Sequence, residues 1–345
     1  MATSSRITTK AWLLLASLAV LHLAVVFAGF LAPYEPTLQN RELPYAPPTR
    51  LHFVSASGFH LRPFVYRTIS GADGYRTDLD HEYPVHWFVG GSPYGIFGLF
   101  TCSTHLFGVD EPARILLLGT DAFGRDEFSR LLYGGQISLA AGLLATLLAL
   151  AAATIIGIIS GYYGKWVDES LMGSAELFLS LPWLYFLIGV RAFLPLHVSP
   201  AGTFLLLICV IGLIGWARPA RLVRGVVLSA RNRNYVLAAR GFGGTDFYLL
   251  RRHILAETFG LLLTQAALLI PQYIAAEATL SFFGLGVNEP TPSWGNMLST
   301  LQHYSVLRSY HWLLAPAGAL IVTSVIYWRL ADALHHWVKS RSIRI

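Results

Sequence analysis

Six long apolar runs separated by polar stretches dominate the chain. A helix needs about 20 mostly apolar residues to cross the hydrocarbon core of a bilayer, and each run approaches that length. We therefore predict six membrane-spanning helices, with prolines and charged residues disturbing the ends of the third and fourth. The predicted spans cover residues 12–31, 137–162, 171–194, 202–220, 259–284 and 312–334.

The composition agrees with an integral membrane protein. Of 345 residues, 54% are hydrophobic and 13% are charged, which is more apolar surface than one water-soluble core could bury. The pI near 9.4 could indicate a nucleic-acid partner. The basic residues, however, lie beside apolar runs and lack the interleaved aromatic residues of a single-strand binding surface. The two cysteines lie in a loop and in an apolar run, so we expect no structural disulfide.

Basic residues orient the predicted spans. Eight arginines and one acid, Asp246, lie between Arg218 and Arg252, and such an excess is typical of a cytoplasmic loop. Arg6 and Lys10 precede the first run, which is longer than a signal-peptide core, so we interpret it as an uncleaved anchor. Six crossings from an inside N-terminus return a basic C-terminal tail to the inside. The sequence thus predicts that both termini are cytoplasmic.

The segment between the first two spans is predicted to lie outside. Residues 32–136 contain 11 acidic and 8 basic side chains, a balance that an external segment permits. Alternation in residues 51–66, and an apolar stretch at 85–89 before a glycine-rich turn, predict a small strand-containing subdomain. Its role stays open between an insertion over the mouth of a pore, which we favour, and a substrate-binding module.

Three polar side chains lie within the predicted spans. Within the spans, Gln265, Gln272 and Glu277 are candidates for lining a pathway, since polar groups in a bilayer are costly. Glu277 lies near the outer end of its span and could instead reach the interface.

These patterns divide the chain into four parts. They are an N-terminal tail with its anchor helix (1–31), an extracytoplasmic segment (32–132), a transmembrane core (133–334) with a cytoplasmic loop (221–256), and a cytoplasmic tail (335–345).

The cytoplasmic loop carries the most informative motif. Its spacing of Tyr235, Ala238-Ala239-Arg240, Gly243 and Arg252-His253 resembles the Glu-Ala-Ala coupling loop of ABC-importer permeases. It is similar in particular to the C-type subunit of the dipeptide/oligopeptide permease family. Three further stretches carry the same resemblance: residues 119–134, 161–168, and 276–286 with 290–297.

The resemblance implies a fold, partners and a location. The fold would be an all-α membrane protein with six transmembrane helices, the type I ABC-importer permease fold, here with the external strand-containing insertion between the first and second helices. The partners would be a sister permease forming the other half of the pore, two cytoplasmic ABC ATPases, an extracytoplasmic solute-binding protein and the lipid bilayer, without nucleic acid. The location would be a bacterial inner membrane. The cargo would be di- or oligopeptides, with nickel or another small solute as the alternative.

The resemblance also assigns residues to ATPase docking. Alanines and a glycine let another surface approach the backbone, and Gly243 would permit a bend with positive φ between two short helices. Leu237 stands where the family has the glutamate of its motif, and Ala256 where a proline is common, so contacts of those two side chains are not carried over. The docking residues would be Arg231, Tyr235, Ala238, Ala239, Arg240, Gly243, Arg252 and His253.

Motifs for chemistry on this chain are not found in the sequence. Gly164-Lys165 is followed by Trp166, so there is no phosphate-binding loop, and we expect partner ATPases to use ATP and Mg²⁺. We predict no catalytic residue, no bound cofactor and no metal site, since the adjacent His335 and His336 lack ligand spacing. An ion-coupled secondary transporter is the less favoured alternative, because clear midplane coupling carboxylates are not evident.

Overall fold

The computed structural model describes residues 9–55, 58–71, 74–96, 100–182, 185–186, 188–189 and 199–342. The described part of the chain contains helices at both ends and five strands between α2 and α3. The α-helices are α1 (Thr9–Val26), α2 (Ala28–Leu31), α3 (Glu127–Tyr163), α4 (Lys165–Ser180), α5 (Pro200–Ile214), α6 (Ala217–Ala230), α7 (Asn234–Gly241), α8 (Asp246–Leu249), α9 (Leu255–Phe282), α10 (Trp294–Ser299), α11 (Tyr304–Ser309) and α12 (Ala315–Ser342). A π-helical turn (Leu250–Ile254) joins α8 to α9, and short 3₁₀ turns (Thr300–Gln302 and His311–Leu314) precede α11 and α12.

Four helical segments of the described chain are long and apolar enough to cross a membrane: Thr9–Val26, Glu127–Tyr163, Asp246–Phe282 and His311–Val338. They coincide with four of the six predicted spans. A fifth follows if Ala201–Ile214 and Ala217–Ala230, which meet at 43°, are counted as one. The helical parts of this chain are therefore those of an integral membrane protein.

The predicted fourth span needs correction, and the predicted third lies partly outside the described residues. The fourth, at 202–220, is not one helix, because it breaks after α5 at Gly215 and α6 then continues to Ala230. The Tyr273 hydroxyl of α9 donates to the Gly215 carbonyl at 3.3 Å, which holds the break. The predicted third span starts in α4, which ends at Ser180, and most of its remainder lies outside the described residues.

The chain forms two compact units. The first comprises Met1–Leu18, Ala140–Glu277 and Val322–Ile345. In it α3 packs closely on α6: a Cβ added at Gly157 would lie 2.6 Å from the Ala220 carbonyl, and one at Gly161 would lie 2.8 Å from a Val227 side-chain carbon. Both glycines are therefore required for close helix approach. This is expected in a bilayer, where the hydrophobic effect does not drive helices together and small residues allow them to pack closely.

The second unit comprises Ala19–Leu139 and Ala278–Ile321. Its strands are β1 (His52–Ser55), β2 (Gly58–Gly71), β3 (Gly74–Pro84), β4 (His86–Ile96) and β5 (Phe100–Gly108). The first three form an antiparallel sheet in the order β1-β2-β3, and β4 pairs with β5. Both pairings lie where loose alternation and turn residues occur in the sequence, and a small core of Val65, Val85, Ala113 and Ile115 supports them.

Buried arginines organise the rest of the second unit. Arg125 and Arg130 both donate to the Glu289 carboxylate, at 2.6 and 2.7 Å, and Arg125 also pairs with Asp121 at 2.6 Å. Burial raises the pKa of Glu289, but the hydrogen bonds and charges of the two arginines outweigh it and leave that pKa below its usual value. The segment before α3 is thereby joined to the segment after α9.

Candidate coupling site

The segment after α6 folds into two short helices, named here the knob (residues 234–249). Between them Gly243 has a φ of 87°, as the sequence predicts, and a Cβ built there meets nothing within 4 Å. The glycine is thus required by backbone conformation and not by crowding. Thr245 begins α8 by accepting a hydrogen bond from the Tyr248 amide at 3.3 Å, an N-cap that fixes the second helix.

Arg231 anchors the start of the knob to the end of α3. Its guanidinium donates to the carbonyl oxygens of Gly161 at 2.8 Å and Tyr162 at 3.2 Å. The last carbonyls of a helix lack intrahelical partners and form the negative end of its dipole, so a cation is favoured there. The guanidinium that the sequence suggests for an ATPase contact is therefore engaged within this chain.

Three polar side chains join the knob to the same end of α3. Arg240 donates to the Tyr162 hydroxyl at 2.6 Å, and that hydroxyl donates to the Asp246 carboxylate at 2.5 Å. The Arg240 guanidinium also lies 5.4 Å from the centre of the Tyr162 ring. Because Arg240 and Asp246 are half exposed, water screens their charges, and the contacts orient the knob more than they stabilise it.

Glu257, near the start of α9, holds the other side of the knob. The Tyr235 hydroxyl donates to its carboxylate at 2.6 Å, and the Arg233 guanidinium lies 3.4 Å away. The His253 ring packs against both Tyr235 and Tyr248, with 5.7 Å between ring centres in each case. Tyr235 and His253, two predicted docking residues, thus also build the knob.

Asp168 and Arg224 fix α4 to α6 close to the knob. Both nitrogens of the Arg224 fork donate to the carboxylate at 2.5 Å, and Ser160 of α3 donates to the same carboxylate at 2.5 Å. The Arg224 hydrogen bonds hold the pKa of Asp168 below its usual value, although partial burial opposes the shift. Three helices therefore converge on one charged carboxylate.

The outer surface of the knob is apolar with a basic edge. Phe242 is 93% exposed and Phe247 is 71% exposed, and Ala238 and Leu237 are also exposed. An open groove of about 700 Å³ continues this surface along the π-helical turn and the start of α9. Its lining residues are Phe247, Tyr248, Arg251, Arg252, Leu255, Ala256 and Phe259. A contiguous exposed apolar patch of this kind is typical of a protein interaction site.

The three predicted pathway residues lie in different environments. Gln272 is exposed and lines a cavity of about 290 Å³, whereas Gln265 is half-buried. Glu277 is fully buried within the protein. Gln272 is thus a candidate that the structure places at a cavity.

Sequence reasoning missed the acids that position the knob. Asp168, Asp246 and Glu257 were not identified as site residues, although each partners an arginine or tyrosine of the loop. A signal was available, because a carboxylate beside an arginine-rich segment is a natural ion-pair partner. Which arginine each acid meets depends on the packing of α3, α4 and α9.

The described apolar helices define a helical integral membrane protein. The chain matches, over residues 153–341, the family described as binding-protein-dependent transport system inner membrane component. That match covers more than half of the chain, and the protein belongs to this family.

Relatives in Brucella suis and Bacillus subtilis are similar to this chain in sequence. A peptide permease protein of Brucella suis is 36% identical over 217 residues, covering 63% of this chain and 70% of that protein. The oligopeptide transport system permease protein OppC of Bacillus subtilis is 37% identical over 234 residues, covering 67% and 74%. The dipeptide transport system permease protein DppC of the same species is 37% identical over 219 residues, covering 63% and 66%.

Among solved structures, the inward-facing MetNI methionine ABC transporter matches with a TM-score of 0.44 and 15% identity, over 60% of this chain and 95% of that one.

Proposed function

We propose that this protein is one permease subunit of an ATP-driven ABC importer for di- or oligopeptides. The family match supports the transport role, and the names of the relatives support peptides as cargo. In this proposal the chain forms half of the pore with a sister permease. Two cytoplasmic ATPases bind and hydrolyse ATP, and an external binding protein delivers the substrate.

The observation that carries the proposal is the way the knob is built. Its apolar face is exposed, yet its base is fixed to α3 through Tyr162 and Arg231 and to α9 through Glu257. A projection that is rigid at its base and apolar at its surface suits the transfer of a rigid-body movement from a partner to the helices. A merely solvated basic loop would not need these internal contacts.

The predicted docking residues then divide into two roles. Ala238, with the exposed residues around it, supplies the surface that an ATPase meets, and Arg252 lies at the basic edge of the adjoining groove. Arg231, Tyr235, Arg240 and His253 hold the knob in place, and Gly243 sets the angle between its helices. Because a leucine stands at 237, docking relies on apolar contact at that position.

The proposed topology places the knob and both termini in the cytoplasm and the five strands outside. Six spans are needed for this arrangement, and the arginine-rich loop between α6 and α9 supports it. The strands lie in the segment that would face the binding protein. The membrane would be a bacterial inner membrane.

Reconstitution tests the proposal. The permease is purified with its sister permease and the two ATPases, placed in proteoliposomes, and supplied with binding protein and a labelled dipeptide. Uptake is expected only with ATP and only with all components present. Uptake by this chain without the ATPases, driven by an ion gradient, would instead favour a secondary transporter.

A further inference from the structure

A cavity of about 290 Å³ lies inside the first unit, between α4, the break that joins α5 to α6, and α9. Apolar side chains including Phe178, Ile211 and Leu269 form much of its wall, and Arg218 and Gln272 also line it. Discontinuous helices often surround substrate sites in transporters, because the break exposes polar groups within the membrane. This cavity therefore has the lining of a ligand site, apolar with a few polar groups.

Arg218 differs from the other arginines of α6 and its C-cap. Arg221 lies 3.9 Å from Glu176, Arg224 is paired with Asp168, and Arg231 caps α3. Arg218 has no ion pair or hydrogen bond with any residue that the structure describes. Along one helix, the cation that faces the cavity is thus the one left without an internal partner.

The position of Arg218 makes its lack of a described partner informative. Arg218 lies at the start of the second helix of a bent pair that together is long and apolar enough to be a span, and Gln272 lies in the interior of α9. A charged side chain within a span costs free energy unless an anion, water or a polar group meets it, and such residues mark substrate pathways. An anionic group is the natural counterpart.

The chemistry of the lining specifies that group more closely. A guanidinium binds a carboxylate through two parallel hydrogen bonds, and a glutamine side chain can both donate to and accept from a peptide amide. The apolar wall suits a hydrocarbon side chain. The volume is at the lower end of ligand pockets, so it fits a dipeptide or one end of a longer peptide.

We infer that this cavity is a peptide-binding station on the transport pathway, in which Arg218 binds the C-terminal carboxylate of the substrate and Gln272 contacts the adjacent amide. This inference rests on the proposed function. It adds a position inside the permease where cargo is recognised, separate from recognition by the external binding protein.

The test compares a dipeptide acid with its C-terminal amide in proteoliposomes containing the complete importer. The affinity of the binding protein for each peptide is measured separately, and both are used at concentrations that saturate it. We compare the unmodified protein with Arg218→Gln, Arg218→Lys and, as a matched control on the same helix, Arg221→Gln.

The unmodified importer is expected to prefer the acid. Arg218→Gln should lower kcat/KM for the acid on the order of 10- to 100-fold, the range that corresponds to a lost charge-assisted hydrogen bond, and leave the amide within about twofold. Arg218→Lys should fall between, since it keeps the cation and loses the fork. Arg221→Gln should retain the original preference.

An unchanged acid-to-amide ratio in Arg218→Gln would overturn the inference while the proposed function stands. If Arg218→Gln does not assemble, an unchanged acid-to-amide ratio in Arg218→Lys overturns the inference in the same way. Absence of ATP-dependent uptake of either peptide by the unmodified importer would instead refute the proposed function, and the inference with it.

Discussion

Two nitrogens of the Arg224 guanidinium donate to the Asp168 carboxylate. Because Ser160 donates to the same carboxylate, α3, α4 and α6 meet at one point. The knob follows the end of α6 and contacts the end of α3. Under the proposed function, this carboxylate is one of the contacts through which a movement of the knob is passed to the helices, beside those of Asp246 and Glu257.

Replacing Asp168 should weaken the contact between these helices. Asp168→Asn keeps the shape but removes the charge, and we expect it to destabilise the purified protein by about 1–2 kcal/mol, the contribution of a charge-assisted hydrogen bond. Glu176→Gln is the matched control on α4, because its contact with Arg221 is long and exposed. Thermal unfolding in detergent measures both. Equal loss in the two variants would show that the Asp168 contact has no special weight.

The same pair predicts a dependence on pH. The folded pKa of Asp168 is lowered, so its stabilisation is fully present above the unfolded value of about 4 and is lost as the pH falls through the lower folded pKa. The stability difference between the unmodified protein and Asp168→Asn should be constant near pH 7 and shrink below about pH 4. Unfolding midpoints over that range give the answer. A difference that grows on acidification contradicts the assigned sign.

Gly243 should couple ATP hydrolysis to uptake. Gly243→Leu places a bulky L-residue at a φ of 87°, which costs about 1–2 kcal/mol and changes the angle between α7 and α8. We expect normal membrane insertion, with ATP hydrolysis continuing and uptake falling at least tenfold. Gly225→Leu is the control, since Gly225 lies within α6, also has open space around it, and has no positive φ. Unchanged uptake in Gly243→Leu would remove this glycine from the coupling site.

Thiol labelling tests the topology. After Cys102 and Cys209 are replaced by serine, single cysteines are placed at two exposed positions, Ser229 at the end of α6 and Ser70 on β2. A membrane-impermeant reagent should label the first only from the cytoplasmic side and the second only from outside. Labelling of both from one side would contradict the proposed orientation of the strands relative to the knob.

The buried arginine pair of the second unit should be sensitive to loss of Glu289. Glu289→Gln leaves Arg125 and Arg130 with Asp121 as their acidic partner, and we expect a loss of about 2 kcal/mol, moderated because Glu289 is partly exposed. Glu111→Gln, at an exposed site in the same unit, should be neutral within about 0.5 kcal/mol. Thermal unfolding of both variants compares them, and similar stabilities would refute the assigned role.

Local features of the fold were predictable because they depend on neighbouring residues. Apolar length located four spans. The positive φ of Gly243 followed from a glycine between two short helical patterns. Each of these properties is determined within a few turns of chain.

Features that depend on distant partners were not predictable. The proline and charge of the fourth run indicated only a disturbed end, whereas the contact that holds the break at Gly215 comes from Tyr273 on another helix. Likewise, Arg231 and Arg240 read as free cations in sequence, because the carbonyls and the hydroxyl they meet lie about seventy residues away, on α3. Hydrophobic patterns report the length and position of a helix in the chain, but they do not report which side chains meet.

Helix α6 has the cavity at one end and the knob at the other. Arg218 and Arg231 are separated by about 20 Å at 1.5 Å per residue, and α6 is packed on α3 along the way. If a docked partner changes the affinity of the cavity for a ligand by some factor, a bound ligand must change the affinity of the knob for that partner by the same factor. The cargo would then act as an effector of the ATPase from inside the membrane.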